Sequence, residues 1–65
     1  SILDALAAGP ATAEDLARAI YTETPAALLG AATRNVLAHL VDLTGRGRVA
    51  PEGALQAEAQ FALNL

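Results

Sequence analysis

The sequence predicts a mainly α-helical domain: three helices with a helix-turn-helix core, closed by a small β hairpin. Three observations carry that prediction. Two stretches rich in alanine and leucine, residues 2 to 21 and 31 to 44, repeat their apolar positions at helical spacing. Glycine and proline punctuate them at Gly9-Pro10, Pro25, Gly30 and Gly45. The last residues, "QFALNL", alternate apolar and polar as a half-buried strand does.

The elements follow in order. Ser1 is placed to cap a first helix over residues 2 to 8, whose apolar face is Ile2, Leu3 and Leu6. Gly9-Pro10 stops it. Thr12 reads as the N-cap of a second helix, about Ala13 to Tyr21. Glu14 and Asp15 fall in its first turn, at the positive end of the helix dipole. Asp15 lies three residues after Thr12, the spacing of a capping box. Leu16, Ala19 and Ile20 are expected to point inward.

In "TETPAALLG", Thr24 followed by Pro25 reads as a cap plus a first-turn proline. One helical turn over Pro25 to Leu29 is expected, broken by Gly30. The third helix is expected from about Ala31 to Thr44. Gly45 and Gly47 end it, Arg48 to Ala50 begin a strand, and "PEG" is a turn. Residues 54 to 59, "ALQAEA", have a helix-forming composition but sit where a hairpin must close, and read as its long tip. Phe61, Leu63 and Leu65 form one apolar strand face. Helix, helix, helix, hairpin is the winged-helix arrangement.

On a helical wheel, Ala32, Val36, Leu40 and Leu43 form the core stripe of the third helix, flanked by Thr33 and Leu37. The opposite face carries Ala31, Arg34, Asn35, Ala38 and Asp42. A helix that reads the major groove needs donors for base edges and cations for phosphates. This face offers one arginine, one asparagine, two alanines and an acid. The whole chain has four arginines, no lysine and seven acids, for a net charge of −3, where nucleic-acid binding calls for a basic face. DNA is therefore not the expected partner, and Arg46 and Arg48 read as solubilising charge. Val41, at the edge of the core stripe, either completes the core or contributes to a contact with a neighbouring domain.

Composition narrows the class further. Apolar residues make up 54%, but much of that is alanine, which fills little volume, so the core rests on leucine, isoleucine, valine, Tyr21 and Phe61. With no cysteine, neither disulfides nor a thiolate metal site is available. No apolar run approaches a membrane span, and the expected setting is the cytoplasm. A chain of this size buries only about 60% of the surface its unfolded form exposes and gains from bracing by a partner. The absence of methionine and the opening inside a helix suggest a single domain over residues 1 to 65 cut from the C-terminal end of a larger chain.

No catalytic, cofactor-binding or metal-binding residue is expected. His39, the one histidine, lacks the convergent partners that zinc requires and has no nucleophile beside it. It reads as a structural residue at the core boundary, making one hydrogen bond. Gly45-Arg46-Gly47 follows a helix rather than a strand, the wrong context for a phosphate loop.

The stretches "ILDALAAGPATAEDLARAIY" and "PAALLGAATRNVLAHLVDLTGRGRV" resemble the winged-helix domain at the C-terminal end of many metallo-β-lactamase-fold hydrolases, the beta-lactamase-associated winged helix. His39-Leu40, Leu43, Gly47 and Val49 match the family's H-L-x-x-L-x-x-x-G-x-V run, and the resemblance covers about residues 2 to 49. Asp42 stands where the family often has lysine or another polar residue, and Gly45 where a helix former is more usual. The resemblance implies an N-terminal catalytic domain in the same parent chain, holding two zinc ions on an H-x-H-x-D-H motif. The winged helix would pack on it and shape substrate access. Family substrates include thioesters and, in some members, single-stranded RNA. None of those ligands lies in this chain, so none is carried over to His39. The alternative is a stand-alone winged-helix module of a regulator, binding DNA or dimerising.

Overall fold

A computed structural model describes all 65 residues, Ser1–Leu65. Its elements are α1 (Ile2–Leu6), β1 (Ala11–Thr12), α2 (Ala13–Ile20), a 3-10 turn (Ala26–Leu28), α3 (Leu29–Gly45), β2 (Val49–Pro51) and β3 (Gln60–Leu63). The predicted fold class is what forms: three helices and a β2–β3 hairpin. One strand was not foreseen. β1 joins the far side of β3, so the sheet is antiparallel and three-stranded in the order β1-β3-β2. Ala11 pairs with Phe61 and Thr12 with Gln60, while Val49, Ala50 and Pro51 pair with Leu63, Ala62 and Phe61. β1 is invisible to periodicity because it is two residues long and Thr12 is also the N-cap of α2.

α1 is shorter than expected. Ser1 caps it, its hydroxyl accepting from the Asp4 amide at 3.3 Å. The helix proper stops at Leu6, because beyond it the chain tightens into i→i−3 bonds, Ala8 N to Ala5 O and Gly9 N to Leu6 O. Gly9, at φ +140°, then turns the chain into β1. In α2 the buried face is Ala13, Leu16 and Ala17, with Ile20 half-buried. Ala19 is exposed, contrary to expectation, since it lies about 100° from the middle of that face. Tyr21 falls just outside the helix, as its C-cap.

The connection corrects two further expectations. Thr24 caps nothing: the 3-10 turn has no side-chain cap, and Pro25 precedes it in an extended conformation. Gly30 does not break the chain. It takes up a helical conformation inside α3, which begins at Leu29, and the Thr33 hydroxyl bonds back to the Leu29 carbonyl at 2.8 Å. A glycine inside a helix costs about 1 kcal/mol relative to alanine, too little to stop a helix anchored by packing on either side.

The end of α3 is built from paired backbone bonds. Gly47 N donates to Thr44 O at 3.0 Å and Arg48 N to Leu43 O at 2.9 Å, with Gly47 at φ +74°. This is a Schellman closure, in which glycine takes the left-handed position without strain. It turns the chain directly into β2.

Nine residues are buried: Leu6, Ala13, Leu16, Ala17, Val36, Leu40, Val49, Ala59 and Phe61. Phe61, the largest, sits on the central strand and faces the helices, and Ala32, Leu37 and Leu43 of the predicted α3 stripe close around the cluster. The 54-to-59 loop forms no helix, as expected, although Ala59 at its end is drawn into the core. Leu65 departs from prediction. It lies beyond β3 and is fully exposed, so the apolar strand face ends at Leu63.

Candidate functional site

The most apolar of the chain's concavities lies at the junction of the three helices. The start of α1 contributes Ser1, Ile2 and Leu3, the end of α2 Ile20 and Tyr21, and α3 Val36, His39, Asp42 and Leu43. The groove encloses about 380 Å³. α1 is only five residues long, and its start, together with the end of α2 and the middle of α3, bounds the groove. Its walls are half-buried aliphatic side chains and its rim is polar.

Two interactions fix the rim. The Asn35 side-chain amide donates to the Tyr21 hydroxyl at 3.1 Å, tying the C-cap of α2 to the outside of α3. Arg46 Nε donates to Asp42 Oδ2 at 2.9 Å, one helical turn along α3. Both pairs are exposed, so each orients side chains more than it stabilises the fold. Tyr21, placed in the second helix by its sequence, matters here as a rim residue.

His39 corrects an expectation. It is exposed at the groove edge, and no hydrogen bond engages its ring. Its position on α3 turns it some 60–80° from the centre of the buried stripe, far enough for solvent to reach it. No three His, Asp or Glu side chains converge to hold a metal ion anywhere in the chain. No helix is long and apolar enough to cross a membrane.

The outward face of α3 is as the wheel placed it: Ala31, Arg34, Asn35, Ala38 and Asp42 are all exposed. Val41 joins them at 46% exposure, which rules out its reading as a core residue. In the position where a DNA-reading helix presents several donors, this one presents Arg34, an Asn35 amide engaged by Tyr21, methyl groups and an Asp42–Arg46 pair whose charges cancel. At the wing, Arg48 and Glu52 oppose each other in sign, and the exposed Leu55 lies in the loop between the strands.

The comparisons with known proteins agree with this architecture. No curated protein and no solved structure matches the chain. A protein-family match covers residues 12–58, most of the chain. It starts at the Thr12 cap, so α1 lies outside it, and it runs through the loop between β2 and β3, beyond the point near Val49 where the sequence resemblance ended. Fold, order of elements and match converge: the chain belongs to the beta-lactamase associated winged helix domain family.

Proposed function

We propose that this is an accessory, C-terminal winged-helix domain of a metallo-β-lactamase-fold hydrolase, packing on the catalytic domain and shaping substrate access. The observation that carries the reading is the groove between α1, α2 and α3 in a chain of this family. Its aliphatic walls gain from being covered, at about 25 cal/mol per Å² of apolar surface removed from water. Its polar rim, with the Tyr21 hydroxyl, His39 and Asp42, matches the usual anatomy of a contact between domains, apolar at the centre and hydrogen-bonding at the edge. The chemistry belongs to the catalytic domain, where two zinc ions would activate water. The role of the present residues is to hold that domain and border its entrance.

The test is made on the full parent enzyme. Ile20→Asp places a charge in the groove wall without touching the nine-residue core. The expected result is an enzyme that keeps its zinc content, loses contact between the two domains in limited proteolysis, and shows an altered KM. An enzyme whose proteolysis pattern and KM are both unchanged would sink the reading. The DNA-binding form of the regulator alternative draws little support from the outward face of α3, and a mobility shift with duplex DNA at moderate salt tests it.

A further inference from the structure

We propose that the outward face of α3 is a self-complementary surface on which a second copy of this chain docks, antiparallel, with Ala38 at the two-fold axis. This inference is independent of the accessory role. It uses the side of α3 turned away from the groove floor; Asp42 borders both, and Asn35 on this side reaches the rim through Tyr21.

The argument rests on charge. Four residues before Ala38 stands Arg34, and four residues after it stands Asp42. All three side chains are exposed and lie along one i, i+4 row of the helix. A two-fold interface sets the same patch against itself in reverse order. When such rows pack antiparallel, Arg34 of one copy lies alongside Asp42 of the other, and the pairing occurs twice. A register centred between Asp42 and Arg46 would also set opposite charges together twice, but those two side chains already pair within each chain, so the Ala38-centred register is the one that engages Arg34.

The groups are free to make the pair. Arg34 has no salt bridge within the chain, and its guanidinium lies back over Gly30, where a Cβ would come within 3.8 Å of Nη1. Asp42 gives Oδ2 to Arg46 and leaves its second oxygen available, so a partner arginine adds to that pair without displacing it. Shape agrees. Ala31 and Gly45 lie seven residues either side of Ala38, both exposed, and nothing lies within 4 Å of a Cβ built at Gly45. Side chains this small allow two helix axes to approach to about 8 Å. Val41, 46% exposed, then supplies an apolar contact on each copy.

The face is about four helical turns long and one side chain wide. A single helix pair of that size falls below the roughly 1,200 Å² of a standard stable interface, in the class of weak, reversible associations. The dimer is therefore concentration-dependent, with charge complementarity setting its register.

The experiment is sedimentation equilibrium of the full chain from micromolar to millimolar concentration, with Arg34→Asp, Asp42→Arg and the double exchange. The expected result is a reversible monomer–dimer equilibrium that each single reversal weakens by roughly tenfold, because it opposes like charges twice. The double exchange restores the dimer to within about threefold of the original. That rescue is specific, since the double variant still lacks the Asp42–Arg46 pair. Circular dichroism of all three variants should match the original, as both positions are exposed. A chain that stays monomeric at millimolar concentration overturns the proposal and leaves this face to a different protein. A dimer indifferent to both reversals overturns it as well, by placing self-association elsewhere.

Discussion

Thr12 and Asp15 hold each other in a reciprocal pair. The Asp15 amide donates to Thr12 Oγ1 at 3.1 Å, and the Thr12 amide donates to Asp15 Oδ2 at 3.3 Å. The pair satisfies two backbone donors that the first turn of α2 would otherwise leave to water. It also fixes the point where β1 becomes α2, because Thr12 is at once the partner of Gln60 in the sheet and the cap of the helix. Thr12→Ala should therefore cost about 1 kcal/mol from the lost cap, read by urea denaturation. An unchanged midpoint would mean that the box contributes nothing and the strand pairing alone holds the junction.

Phe61 and Leu40 are both fully buried, one on the central strand and one on α3. They measure the same core from opposite sides. Leu40→Ala should lose on the order of 2–5 kcal/mol and Phe61→Ala about 3–5 kcal/mol. Losses of that size approach the whole stability of a domain this small. Loss of the cooperative thermal transition is thus the expected observation at either site. A Leu40→Ala chain that melts within a degree or two of the original would show that α3 is not packed through this stripe.

Much of this core was readable in advance, and the failures have physical causes. Helical spacing identified Val36, Leu40 and Leu16 because amphipathic burial imposes a period near 3.6. The same reasoning misplaced Ala19, since alanine carries too little hydrophobic signal to mark which side of a helix it lies on. It missed Ala59, a single small residue at the end of an irregular loop, and β1, a strand too short to alternate. Gly30 was overread as a break, because a breaker signal is local whereas the helix is held by packing at both ends. The groove was not legible at all. It depends on how α1 and α2 cross α3, which spacing along the chain does not encode.

Gly47 tests the closure at the other end of α3. Its φ of +74° belongs to the left-handed region, which costs a residue with a Cβ about 1–2 kcal/mol. No atom lies within 4 Å of a Cβ built there, so the cost is conformational and not steric. Gly47→Ala should destabilise by about that amount, whereas Gly45→Ala, in a helical conformation with the same open surroundings, should stabilise the helix by up to about 1 kcal/mol. Equal effects at the two glycines would show that the Schellman turn does not carry the α3–β2 connection.

His39 supplies the last test, because it is the side chain most easily mistaken for a ligand. It is exposed, forms no hydrogen bond, and stands at the groove rim beside Asp42, whose carboxylate is already engaged by Arg46. A substitution at such a surface position usually changes stability by no more than about 0.5 kcal/mol. His39→Ala should accordingly leave unchanged both the thermal midpoint of this chain and, under the proposed function, the zinc content of the hydrolase that would carry it, the latter read by elemental analysis. If the groove is the seat of the catalytic domain, the same substitution should still raise the susceptibility of the joint between domains to protease, since one rim contact is removed. A fall in bound zinc would instead make His39 a ligand completed by residues outside this chain, and the groove part of the metal centre.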